Sequence, residues 1–171
     1  MRVFLIGYMG SGKSKVGAQL AGLLDAKHVD TDAAIADAEG CSVSDIFAQQ
    51  GEERFRKLEK DMLNQLVQRT NIVVSTGGGL PCSDDNMQRM NDAGITVYLE
   101  ASSGLLFHRL LTSRAGRPLL ENLSDVELME RINSHLAQRA PVYAQAKLTV
   151  AAASLNVKAL AAKIKKMMES A

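Results

Sequence analysis

The chain has 171 residues, 46% hydrophobic and 23% charged, enough for one packed core and ordinary for a single globular domain. Its 20 Lys and Arg against 19 Asp and Glu leave a formal charge of +1, without the basic excess that a nucleic-acid partner requires. Two cysteines, Cys41 and Cys82, lack C-x-x-C spacing and so suggest neither a disulfide framework nor a thiolate zinc site; they fit a reducing, cytoplasmic setting, and no run of roughly 18 apolar residues is present to cross a membrane.

In chain order, the apolar run Val3–Ile6 is too short for a signal segment and leads straight into a glycine-rich turn, which predicts a buried strand. Val16, Leu20, Leu23 and Leu24 then repeat at helical spacing. A fainter strand is expected near His28–Val29, followed by Asp30-Thr31-Asp32. Beyond Gly51, Phe55, Leu58, Met62 and Leu66 mark the core face of a long helix. Ile72–Ser75, Thr96–Leu99 and Leu148–Val150 read as further strands, and Val157, Leu160, Ile164 and Met168 line a final helix. Between helical runs ending near Thr112 and starting near Ser124, the turn-rich Ser113-Arg114-Ala115-Gly116-Arg117-Pro118 is expected to form a lid spanning about 112–123. Alternating strands and helices predict an α/β fold on a mainly parallel sheet.

In such sheets ligands lie beyond the carboxyl ends of the strands, so the segments that follow the strands carry the functional reading. After the first strand, Gly7-Tyr8-Met9-Gly10-Ser11-Gly12-Lys13-Ser14 matches G-x-x-x-x-G-K-[ST] between a strand and an amphipathic helix. Its backbone N–H groups and helix dipole suit phosphates, Lys13 suits the β- and γ-phosphates, and the Ser14 hydroxyl suits Mg²⁺. After the second, Asp30 and Asp32 would project to one side if the segment is extended, facing a metal and a hydroxyl together; Asp32 as a helix N-cap is the equally available alternative. After the third, Gly77-Gly78-Gly79 permits close approach of a ligand to main-chain N–H groups, and no aspartate ends that strand to supply the second metal-binding motif usual beside such cradles. Glu59 could hold Arg56 in a fixed pose, or the two could form a plain surface ion pair. Pro141 is expected to stop or kink the helix that carries Arg139, leaving the arginine near a helix end, where a capping role is the alternative. Arg117, on the lid, is suited to reach transferring phosphates, with a surface loop arginine as the alternative. His28, His108 and His135 have no metal-ligand spacing.

Taken together, the cradle, Asp30-x-Asp32, Phe55-Arg56-x-x-Glu59, Gly77-Gly78-Gly79, Arg117-Pro118-Leu119-Leu120 and Arg139-Ala140-Pro141-x-Tyr143 resemble the shikimate kinase family across nearly the whole chain. The resemblance implies a five-stranded parallel sheet of order 2-3-1-4-5 flanked by helices. It also implies a lid, and a substrate-binding subdomain at about residues 31–60. Implied too is transfer of a phosphoryl group from ATP with Mg²⁺ to shikimate by a monomeric cytoplasmic enzyme without nucleic-acid or membrane partners. By the same resemblance, Gly10, Ser11, Gly12, Lys13, Ser14 and Lys15 would bind the nucleotide, with Arg117 joining Lys13 on the phosphates. Ser14 would hold Mg²⁺ with Asp30 near it through water, and Asp32 would meet the substrate hydroxyls. Arg56 and Arg139 would clamp the carboxylate, with Glu59 orienting an arginine, and Gly77, Gly78 and Gly79 would bind the substrate, the Gly78 N–H contacting a ring hydroxyl. Lys15 stands where the family often has threonine, and Arg109 and Arg114 both remain open for the adenine contact. A gluconate or nucleoside monophosphate kinase, or a non-catalytic ATP-binding regulator, are the competing readings; either kinase should lack the paired Arg56 and Arg139.

Overall fold

Alternation along the first strand sets the architecture. In β1 (Arg2–Ile6), Val3 and Leu5 enter one apolar layer and Phe4 and Ile6 the other, all four fully buried, as expected where a parallel sheet is covered on both faces. The computed structural model describes residues 1–112 and 123–169. β2 (Lys27–Asp30), β3 (Ile72–Ser75), β4 (Ile95–Glu100) and β5 (Leu148–Ala151) complete an all-parallel sheet of order β2-β3-β1-β4-β5, the order expected.

Helices α1 (Lys13–Leu23), α2 (Thr31–Glu39), α3 (Val43–Leu66), α4 (Asn86–Ala93), α5 (Ser103–Leu111), α6 (Asp125–Tyr143) and α7 (Val157–Glu169) surround it. Leu20 and Leu24 at α1 meet Leu160 and Ile164 of α7 on one face of the sheet. Leu63 and Leu66 of α3, Met90 of α4 and Tyr143 of α6 pack on the other. The outer members of two expected helical faces fall away from the core, Leu23 being 37% and Met168 42% exposed. On α3 the fully buried stripe is Phe55, Glu59, Leu63 and Leu66, with Leu58 and Met62 half-buried. A glutamate therefore occupies a core position.

Two local expectations change. The strand ends at Asp30 and helix α2 begins at Thr31, so Asp30 and Asp32 are not related by strand alternation. The N-cap is Asp30, whose Oδ1 accepts from the Asp32 and Ala33 amides at 3.1 and 3.3 Å, and Asp32 lies in the first turn. Likewise α6 runs through Pro141 to Tyr143. Burial of the Tyr143 ring against Tyr98, with centroids 5.2 Å apart, supports that last turn in spite of the donor that proline removes. In α3, Gly51 at φ 79° breaks the helix and lets its second half, bearing Arg56 and Glu59, take its own direction.

Register brings the functional strand ends level. Asp30 of β2 and Leu5 of β1 both stand opposite Ser75 of β3, so the segments that follow all three strands leave the sheet side by side. Among the described residues no helix is long and apolar enough to cross a membrane.

Candidate active site

The loop joining β1 to α1 has Gly7, Gly10 and Gly12 at φ 139°, 80° and 101°, conformations that L side chains rarely adopt. Gly12 caps α1 without a side chain, so the amides of the first turn face the loop. Lys13 is buried, and its ammonium donates to the Gly7 and Tyr8 carbonyls at 2.8 and 2.9 Å. The charge thus sits inside the curve of the loop, beside amides that suit phosphate oxygens. The buried Ser11 hydroxyl has no hydrogen-bond partner among the described residues, and Lys15 is exposed. From α5, Arg109 donates to the carbonyls of Gly10 (3.1 Å), Ser11 (2.9 Å) and Ala152 (3.4 Å), tying the loop to the segment after β5. Arg114 and Arg117 lie outside the described residues.

Ser14 Oγ donates to Asp30 Oδ2 at 2.5 Å. A hydroxyl and a carboxylate are the hard oxygen donors Mg²⁺ prefers, and that ion usually completes its shell with water and phosphate oxygens. The Ser14 and Asp30 oxygens therefore fit an ion whose shell is completed by water and a phosphate ligand.

The other half of the site is built on Gly77–Gly79. The Gly77 amide donates to the buried Thr31 hydroxyl at 2.7 Å, anchoring the run to the start of α2. A Cβ on Gly77 would lie 2.5 Å from Asp32 Oδ1 and 2.8 Å from Glu59 Oε1; one on Gly79 would lie 2.8 Å from Arg56 Cζ; one on Gly78 would lie 3.7 Å from Arg139 Nη1. Side chains of Asp32 and Glu59 thus leave no room for a Cβ at Gly77, nor does Arg56 at Gly79, while Arg139 lies within ordinary contact distance of one at Gly78. Those oxygens of Asp32 and Glu59 are buried and have no hydrogen-bond partner among the described residues, leaving acceptor capacity at the glycine run.

Burial, followed by the nearby Asp30 charge, raises the Asp32 carboxyl above its ordinary range, against opposing pulls from Lys13 and Arg56. Burial also raises Glu59, to about 6, although its Oε2 accepts from Arg56 Nη1 at 2.5 Å. Glu59 is 1% exposed, so this is no surface ion pair; Arg56 is held on its other edge by Glu52 at 2.8 Å. Arg139 lies over the Tyr8 ring, 5.8 Å from its centroid, and the Tyr8 hydroxyl meets His135 Nδ1 at 3.0 Å. Two guanidinium groups thus border one part of the glycine run while Asp32 borders another, nearer Lys13. A ligand with an anionic group and a separate hydroxyl suits that polarity.

A family model described as shikimate kinase matches residues 9–169. The chain belongs to the shikimate kinase family. A shikimate kinase from Phocaeicola vulgatus is 44% identical over 146 residues, covering 85% of this chain and 83% of the relative. The crystal structure of a shikimate kinase from Bacteroides thetaiotaomicron superposes with a TM-score of 0.90 at 38% identity, over 99% of this chain and 98% of the other. That of a shikimate kinase from Acinetobacter baumannii in complex with shikimate gives a TM-score of 0.85 at 32% identity, over 99% and 93%.

In this shikimate kinase family member, Lys13, Asp32, Arg56, Glu59 and Arg139 are all drawn to the phosphate loop or the glycine run. Sequence reasoning attached no role to Tyr8 or Tyr143. Tyr8 was hidden among the variable positions of the loop motif, whereas Tyr143 stood in a motif whose other members drew the attention.

Proposed function

We propose that this chain transfers the terminal phosphoryl group of ATP to the 3-hydroxyl of shikimate, giving shikimate 3-phosphate and ADP for aromatic amino-acid biosynthesis. The observation that carries this reading is the convergence on one glycine run of a carboxylate near the phosphate loop, Asp32, with two guanidinium groups, Arg56 and Arg139.

The loop amides and Lys13 bind the β- and γ-phosphates, and Arg117 on the lid, about 112–123, adds charge to them. When bound at Ser14 and Asp30, Mg²⁺ neutralises phosphate charge and orients the donor. Arg56, braced by Glu59, and Arg139 take the shikimate carboxylate, which sets the ring so that one hydroxyl faces the donor. Asp32 accepts a hydrogen bond from that hydroxyl as its oxygen bonds to the γ-phosphorus; the bond from that phosphorus to the bridging oxygen breaks with its electron pair leaving on ADP, and the hydroxyl proton passes late to Asp32 and from there to solvent. Phosphoryl transfer passes through a loose transition state, so alignment matters more than a strong base, and Asp32 acts chiefly as orienter. Gly77 and Gly78 allow the ring to approach the main chain closely. The 31–60 segment acts as the substrate-binding subdomain of a single domain, in a monomeric cytoplasmic enzyme.

The test is coupled ADP release with shikimate, gluconate and nucleoside monophosphates offered in parallel. Turnover with shikimate at least about a hundredfold above the others is expected, since gluconate carries its carboxylate on a flexible open chain and nucleoside monophosphates present a larger phosphate, so that neither sets a hydroxyl in line with the donor when its anion is clamped. Equal or greater turnover with another acceptor would overturn the assignment.

A further inference from the structure

Thr31 lies between Asp30 and Asp32, yet the chemistry above uses only those neighbours. Its side chain is fully buried at the start of α2, and its hydroxyl accepts from the Gly77 amide at 2.7 Å. Asp30 stands opposite Ser75, so one more step of the parallel ladder would set Thr31 opposite Thr76 and aim the Gly77 N–H at the Thr31 carbonyl. That step is not taken, because Thr31 opens a helix and its carbonyl turns along the helix axis. The hydroxyl stands in for the carbonyl and keeps the amide paired where the strand has stopped.

Gly77 is buried, so its N–H needs an acceptor within the protein. Take the hydroxyl away and two orphaned oxygens border that residue. Asp32 Oδ1 and Glu59 Oε1 lie 2.5 and 2.8 Å from the point a Gly77 Cβ would occupy, and neither has a hydrogen-bond partner among the described residues. Glu59 is already held through its other oxygen by Arg56, so the freed amide turns to Asp32, which shares the first turn of α2 with Thr31. A carboxylate oxygen that accepts from a main-chain N–H offers one lone pair fewer to a substrate hydroxyl and is drawn toward its new donor.

We infer that Thr31 is a positioning residue for the acceptor's hydroxyl: by occupying the Gly77 N–H, its side chain keeps Asp32 Oδ1 an open acceptor toward the substrate. This rests on the shikimate-phosphorylating activity proposed above.

The test compares the wild-type enzyme with Thr31→Val, which keeps the shape and branching but not the hydroxyl, and with Thr31→Ser, which keeps the hydroxyl. Thr31→Val should lower kcat about ten- to a hundredfold, the span of one hydrogen bond to a charged acceptor. The ATP KM should stay within about twofold and the shikimate KM within about threefold, because Arg56 and Arg139 are untouched. Thr31→Ser should remain within about threefold of wild type in all three constants. On an Asp32→Ala background, Thr31→Val should cost less than about twofold more, since the residue it acts through is gone, whereas general loosening costs as much there as in the wild type. Equal losses on both backgrounds, a serine variant as slow as the valine one, or an unaltered kcat would overturn the inference. So would a loss carried by the shikimate KM, which would place the freed amide on Glu59. If Thr31→Val does not fold, hydrogen exchange decides: Asp32→Ala should leave the protection of the Gly77 amide within about threefold of wild type, and a larger drop would mean that Asp32, not Thr31, holds that amide. A wild-type enzyme that fails to phosphorylate shikimate defeats the activity itself, a separate result that leaves the exchange measurement standing.

Discussion

Replacing Glu59 by Gln tests whether burial or ion pairing governs the brace behind the carboxylate clamp. The Glu59 carboxyl stands at about 6 against an ordinary 4.5, because the cost of burying its charge exceeds the help it receives from Arg56. Between those two values the folded protein holds a proton that the unfolded chain has lost. Folding stability from this group is therefore fully present below 4.5 and declines as pH rises through about 6. At roughly 1.4 kcal/mol per pH unit, the loss amounts to about 2 kcal/mol. Gln keeps the shape and a hydrogen bond to Arg56 but does not titrate. Urea denaturation of both proteins from pH 4.5 to 7.5 should show the variant gaining about 2 kcal/mol on the wild type across that interval and then levelling. The contributions of groups not coupled to Glu59 cancel in the difference. A gap that is flat with pH, or wild type gaining as pH rises, would mean that the 2.5 Å pair with Arg56 outweighs desolvation, and the reasoning would fail.

Two further substitutions probe the reacting end of the site. Asp32→Asn should leave nucleotide affinity, followed with a fluorescent ATP analogue, within about twofold while lowering kcat about a hundredfold or more; undiminished turnover would remove Asp32 from its assigned role. Gly77→Ala places a methyl group 2.5 Å from Asp32 Oδ1 and 2.8 Å from Glu59 Oε1. It should cost about 1–3 kcal/mol of stability and, by displacing Asp32, about a hundredfold in kcat. As a control, Gly22→Ala in α1, where a Cβ meets nothing within 4 Å, should raise stability by about 0.5–1 kcal/mol in the same denaturation assay.

Local regularities explain how much was legible in the chain itself. Short apolar runs marked all five strands, and helical periods marked the helix after the first strand, the long helix before the third and the helix after the last, because apolar spacing reports directly which face of an element meets the core. The strand–loop–helix flanks of Gly7–Ser14 located the phosphate cradle, since glycines at positive φ and a lysine after them are needed by the loop whatever surrounds it. The remaining motifs, taken in order along the chain, carried the resemblance to the family.

Contacts between distant segments required the folded chain. Periodicity placed Leu58 and Met62 on the core face of α3, where they pack half-buried against the core, but it could not show that the fold also buries Glu59, where Arg56 and the glycine run accompany its charge. Asp30 became a cap and a partner of Ser14 because the sheet register sets the end of β2 beside the loop after β1. Pro141 was absorbed into a helix because Tyr143 found a cavity against Tyr98 and a carbonyl at Gly78. Spacing along a chain determines which elements form and which face each buries, whereas the desolvation and pairing of a charged or polar group depend on neighbours brought from far away in sequence. That is why candidate site residues could be named in one dimension, whereas their protonation, bracing and orientation were decided only in three.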